Sequence, residues 1–324
     1  MNKEYINNYV IETGIGLQDV DKLTNSTYFI NEANRYTKGE ISLDELDNII
    51  TSYYKSKPKE EFDRSEEADK IAVRIAKCIS NDSFVFSVGQ LISIHRFLFD
   101  GVFKHAGRLR TYNFYKNEWV LGGASVVYGD YNELEATLQY DFDQERKFDY
   151  SNLNIDEVIE HLALFISNLW QIHVFEEGNT RTTAVFIIKY LNSLGFDITN
   201  DIFAKNAWYF RNSLVRANYT NISKHIYRDR SFLIMFLKNL LKGEKNILSN
   251  RDLLIENIIY TKTGKRESRI IDLIKENPNI NADEIAQELG VSIRTIRSAL
   301  KSLKDNGKIE RVGSKKSGKW MLIE

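Results

Sequence analysis

The chain has 324 residues, of which 43% are hydrophobic and 27% charged, and a net charge of −1. Those proportions exclude a disordered or fibrous chain, and the length predicts one large core with a smaller appendage. A single cysteine, Cys78, excludes an internal disulfide, no Cys/His cluster has zinc spacing, and no run approaches the roughly 18 apolar residues of a membrane span.

The N-terminal MNKEYINNYV carries polar residues where a secretory leader is apolar, so a cytoplasmic location and no membrane partner are expected. Helical spacing of apolar residues follows over 45–54, 67–79 and 88–103. Residues 109–130 are rich in aromatic and β-branched types around Gly122-Gly123, which predicts a β-hairpin inserted among helices. A long helix is predicted over 155–175, with Asp156 and Glu157 in its first turn. A second, over 183–195, is apolar almost all round and therefore central to a bundle. Further helices are expected near 202–218 and 230–242, then a linker at 246–265.

From 266 the pattern changes. An amphipathic helix stops before Pro278; Asn281 caps a second helix ending at Gly290, and Ser292 caps a third ending at Gly307. Two strands joined by GSKKSG complete a winged helix-turn-helix. Residues 262–324 hold fourteen Lys/Arg against nine Asp/Glu, a net +5 that leaves −6 for the remainder. Ser292, Arg294, Thr295 and Arg297 open the third helix and are the candidate DNA contacts, with Lys315, Lys316 and Lys319 in the wing. Protein docking is the alternative use of this domain.

The segment IHVFEEGNTRTTAVF (172–186) lies between the two strongest helical stretches. Gly178 and Asn179 tolerate unusual backbone angles, and the helix expected to begin at Thr180 or Arg181 points its free N–H groups at the loop. A base (His173), an acid (Glu177), an anion loop and an arginine fall within nine positions, a pattern suited to phosphate chemistry.

These residues, His173-Val-Phe175-Glu-Glu177-Gly178-Asn179-Thr180-Arg181, resemble the Fic motif H-x-F-x-[DE]-G-N-G-R-x-x-R. Residues 94–114, 119–130 and 208–223 are similar to that family's helix before the flap, its flap and the helix closing its nucleotide pocket. The resemblance implies a mostly α-helical enzyme: an N-terminal helical region (1–64), a Fic core with a β-hairpin flap (65–245), and the winged helix (266–324). It implies an adenylyltransferase that moves AMP from ATP to a Ser, Thr or Tyr hydroxyl. His173 would be the general base, and Phe175 would hold the loop. Glu177 would bind Mg²⁺, Gly178, Asn179 and Thr180 would surround the phosphates, and Arg181 would neutralise pyrophosphate.

The sequence departs from the motif twice: Thr180 replaces a glycine, and Ala184 stands where the family has a second arginine that grips the γ-phosphate. The family's inhibitory helix has a candidate counterpart at 26–34, with Glu32 as its glutamate. Expected partners are a protein target, the chain itself through self-modification or a homodimer, and DNA. Two rival readings stay open: transfer of another nucleotide such as UMP, and a nucleotide-sensing DNA-binding regulator with a degenerate core.

Overall fold

A computed structural model of the chain describes residues 3–56, 64–313 and 318–323. The chain divides into two compact units, Met1–Leu253 and Leu254–Glu324.

The first unit is mainly helical. In chain order it holds α1 (Lys3–Gly16), α2 (Thr27–Thr37), α3 (Leu43–Ser56), α4 (Ser65–Ser80), α5 (Val88–Phe99), α6 (Leu134–Lys147), α7 (Ile155–Ile172), α8 (Asn179–Ser193), α9 (Ile202–Ala217) and α10 (Ser231–Lys242). The central place read for 183–195 is seen in α8: every residue from Asn179 to Leu191 is buried, and the helix packs on α4, α5 and α7. Each fully buried Ile, Val, Leu or Phe there contributes about 1.5–3 kcal/mol of transfer free energy. α7 starts on a capping box in which Asn154 accepts from the N–H groups of Asp156 and Glu157.

The N-terminal helices belong to this same unit rather than to a separate region, because α1 lies against α4 and α9. Two glycines permit that approach. A Cβ on Gly14 would stand 2.3 Å from the Ala72 carbonyl oxygen, and one on Gly16 would stand 2.0 Å from that of Ala204. The close docking carries the following 3-10 turn, Leu17–Asp21, down to the N-terminal half of α8.

The β-hairpin expected over 109–130 is corrected. The segment doubles back, with Glu118 N donating to Ala124 O (3.0 Å) and Gly123 N to Glu118 O (3.0 Å), but it forms a 3-10 turn at Trp119–Leu121 and no strand. Its backbone donors go elsewhere: Lys116 N to the Ser125 hydroxyl, Arg110 N to Val174 O and Gly129 N to Gln171 O. Of the aromatic and β-branched residues that suggested strands, Val120 and Val126 are buried, whereas Tyr112, Tyr115, Trp119 and Val127 are exposed.

The linker expected over 246–265 is also corrected. Helix α11 (Ile255–Glu276) begins at its midpoint, and the division between the units falls at Leu253–Leu254. The second unit continues with α12 (Ala282–Glu288), α13 (Ile293–Asp305), β1 (Ile309–Val312) and β2 (Lys319–Leu322), the strands pairing antiparallel with Ile309 opposite Leu322. The predicted caps are present: Asn281 and Glu284 form a capping box, and Ser292 accepts from Thr295 N. Ile270, Ile274, Ile285, Ile296, Leu303 and Trp320 form its own apolar core. Lys315 and Lys316 lie outside the described residues.

Candidate active site

His173 is the C-cap of α7, in the left-handed region at φ 53° and ψ 58°. Such a conformation is uncommon for a residue with a Cβ. It is held by Arg110, whose Nε donates to the His173 carbonyl at 2.7 Å and whose other nitrogens reach the carbonyls of Tyr112, Gly129 and Ile172. The imidazole is 3% exposed. Its Nδ1 lies 3.3 Å from Trp170 O, and its Nε2 is buried with no partner among the described residues. Burial, and after it the Lys116 ammonium, hold its pKa well below the ordinary value, so the ring is neutral at neutral pH. The rings of Tyr128 and Phe114 lie 4.2 and 5.5 Å from it, centroid to centroid.

The loop after His173 closes on itself. Phe175 stacks on His95 with ring centroids 3.7 Å apart. His95 Nδ1 accepts from Gly107 N at 2.8 Å, which leaves its Nε2–H for Glu177 O at 3.0 Å. Gly178 sits at φ 76°, and a Cβ there would stand 2.4 Å from the Phe99 ring. It is also the N-cap, so α8 starts at Asn179, earlier than expected.

The Asn179 amide does not face the cavity. It accepts from Phe175 N (2.9 Å) and donates to Phe175 O (2.7 Å), so its work is to hold the loop. Thr180 is also committed to the protein, its hydroxyl accepting from Trp170 Nε1 at 2.9 Å. Arg181 too is engaged within the protein. It is fully buried and points toward the N-terminal turn, with Glu67 at 2.7 Å, Asp21 at 2.9 Å and Gln18 Oε1 at 3.1 Å. Glu32, the candidate inhibitory residue, instead pairs with Arg35 of its own helix at 2.7 Å.

The Glu177 side chain opens onto solvent, 46% exposed, with Lys116 Nζ 3.5 Å from its carboxylate. It borders a cavity of about 290 Å³ whose wall includes Lys22, Arg64, Lys116, Trp119, Trp208 and Arg211. Trp119 and Trp208 face each other at 6.5 Å between centroids. Arg211 is neutralised by the buried Glu118 (2.7 Å), which also accepts from the Tyr128 hydroxyl. Sequence reasoning missed Arg110, Asp21 and Glu67, which lie 60 or more positions from the motif residues they hold, and Lys22 on the cavity wall. Gly14 and Gly16 on an otherwise helical stretch were the available signal for the docked turn.

In the second unit Arg294 and Arg297 are exposed on α13. The Ser292 hydroxyl, by contrast, caps that helix and lies 2.8 Å from Thr295 Oγ1, so both hydroxyls are engaged locally.

The elements so placed define a mostly helical protein with a Fic-type core and a small helix-turn-helix unit. Residues 85–191 match the model of the Fic/DOC family and residues 266–318 that of an HTH domain, so the chain joins a Fic domain to a C-terminal HTH domain. Among solved structures the chain is similar to a Fic family protein from Desulfovibrio desulfuricans G20, at 13% identity and a TM-score of 0.46, over 99% of this chain and 88% of that one. No curated protein matches the chain.

Proposed function

We propose that the protein is a nucleotidyltransferase that moves AMP from ATP onto a protein hydroxyl. The observation that carries this reading is the His173 Nε2: a neutral imidazole nitrogen, buried and without a partner among the described residues, presented by a strained turn beside the start of α8. In the reaction the hydroxyl oxygen of the target bonds to the α-phosphorus while the bond from that phosphorus to pyrophosphate breaks. The proton passes to His173 Nε2, and the depressed pKa keeps that nitrogen free to take it.

Among the described residues no group of three or more His, Cys, Asp or Glu is gathered for a metal. Mg²⁺ at phosphates takes one or two carboxylates and completes its shell with water and substrate oxygens. Glu177, a half-exposed carboxylate on the cavity wall, fits that demand. Bound there with the nucleotide, the ion would neutralise phosphate charge. The facing Trp119 and Trp208 offer flat apolar surfaces for a base, and Phe114 and Tyr128 must withdraw from His173 before a hydroxyl can reach it.

A second reading is favoured by the burial of Arg181 and the covered His173: a nucleotide-sensing regulator that acts through DNA. The HTH unit supports it through the exposed Arg294 and Arg297 on its third helix. Incubation with Mg²⁺ and α-labelled ATP, beside His173→Ala, separates the two. Covalent label lost in the variant establishes transfer. Absence of label with either ATP or UTP, together with DNA affinity that shifts on adding ATP, establishes the sensor.

A further inference from the structure

A nucleoside triphosphate brings several negative charges, and α8 offers its cavity no cation to meet them. The family's second arginine is Ala184, which is fully buried, and the first, Arg181, is enclosed by Glu67, Asp21 and Gln18. Cations nevertheless line the cavity beside Glu177. Arg211 is committed to the buried Glu118, and Arg64 to Glu67 at 2.7 Å. Asp21, on the same wall, is committed to Arg181.

That leaves two lysines. Lys22 directly follows the N-terminal 3-10 turn, its ammonium over the Trp208 ring at 5.1 Å, and it forms no ion pair among the described residues. Lys116, on the loop covering His173, has Glu177 at 3.5 Å as its acid, the carboxylate that would hold the metal ion. Two ammonium groups on flexible stems thus face one cavity from two different segments. Compact point charges of this kind suit the outer phosphates of a nucleotide.

We propose that Lys22 and Lys116 receive the β- and γ-phosphates, so that the N-terminal turn and the flap supply the charge that α8 lacks. This assignment rests on the nucleotide-binding part of the reading above. It also accounts for the docked turn: Arg181 is spent on anchoring Asp21, and through that anchor positions Lys22 at the cavity.

The test is calorimetric titration of the full chain with Mg·ATP and with AMP, for the wild type, Lys22→Met, Lys116→Met and Lys22→Arg. Loss of a charge-assisted phosphate contact should weaken ATP by about tenfold or more in each Met variant. AMP, which lacks both outer phosphates, should bind as in the wild type, and Lys22→Arg should retain ATP. Equal melting temperatures confirm that the variants fold. ATP affinity unchanged in both Met variants, or ATP and AMP weakened alike, would overturn the assignment. Lysine-dependent ATP binding in a protein that labels nothing would uphold it while removing the transfer reading; labelling with ATP affinity indifferent to both lysines would do the reverse.

Discussion

Trp170 Nε1 donates to Thr180 Oγ1 at 2.9 Å inside the core, joining the last turn of α7 to the first turn of α8. The hydroxyl at position 180 thus serves the helix junction and not the cavity. Thr180→Gly restores the family's residue but leaves the indole N–H buried without an acceptor. We expect a loss of about 1–3 kcal/mol for that unpaired group, plus the helix penalty of glycine. Thr180→Ser keeps the acceptor and should cost well under half as much. Urea unfolding of the two variants checks this, and equal midpoints would show that the indole contact contributes nothing.

Arg181 and Glu67 lie 2.7 Å apart, the guanidinium fully buried and the carboxylate nearly so. Removing one member of such a pair strands the other, which typically costs about 3–5 kcal/mol. Arg181→Ala should therefore be among the most destabilising substitutions in the first unit, lowering the denaturation midpoint sharply. Asp21→Asn should cost less, because Asp21 is partly exposed and Glu67 remains to pair with the arginine. If Arg181→Ala unfolds at the wild-type midpoint, the ion pair is not what fixes the N-terminal turn.

His95 predicts a pH dependence. Burial, ahead of its other causes, pushes its pKa from 6.5 down to about 4, so the folded state holds it neutral while the unfolded chain protonates near 6.5. The unfolded state therefore binds more protons between these values, and stability falls as pH drops from about 6.5 towards 4. The full loss for this one group is about 3 kcal/mol at 1.36 kcal/mol per unit. His173 is depressed in the same direction and adds to the effect. His95→Gln, whose amide can accept from Gly107 N and donate to Glu177 O, should show a shallower acid-side fall. Melting curves of both proteins from pH 7 to 4.5 test it; parallel curves would remove His95 as a contributor.

The helices were legible because their cores repeat at helical spacing over a dozen residues or more. α7 and α8 fall close to the expected ranges, and the capping residues Asn281 and Ser292 stand where local chemistry placed them. α6 was not foreseen, and α1 only as part of the helical region 1–64: α1 carries two glycines for close packing, and α6 is polar on most of its surface. The flap misled because β-branched and aromatic residues fit any half-buried surface, and strand pairing depends on partners the sequence does not show. In the site, backbone conformation was readable from Gly178, but side-chain direction was not. Asn179 and Arg181 both turn inward, toward Phe175 and toward Glu67 and Asp21. Only the tertiary docking of α1 explains the second.

The HTH unit carries a prediction of its own. Arg294 and Arg297 are exposed on one helix with no ion pair among the described residues, while Ser292 and Thr295 are occupied by the cap. If the unit binds DNA, Arg294→Ala and Arg297→Ala should each weaken binding and lower the slope of log affinity against log salt by about one. Ser292→Ala should act mainly on stability, at about 1 kcal/mol for a lost cap. Salt-dependent anisotropy on duplex DNA reads both, and a slope unaffected by either arginine would turn the domain toward protein docking.

Access to His173 depends on Tyr128. Its ring covers the imidazole, and its hydroxyl is tied to Glu118, which Arg211 holds in turn. Burial is the main cause of the depressed His173 pKa, so removing the cover should let that pKa rise towards its ordinary value. It should also admit reagents that the closed site keeps out. We expect Tyr128→Ala to carry diethyl pyrocarbonate to His173 markedly faster than the wild type, read at that residue by peptide mass. Tyr128→Phe keeps the ring and loses only the tie to Glu118. If the ring itself is the cover, this variant should stay slow; if the tie holds the flap down, it should react nearly as fast as Tyr128→Ala. Reaction at the wild-type rate in both variants would mean that Phe114 and the surrounding helices, and not Tyr128, close the site.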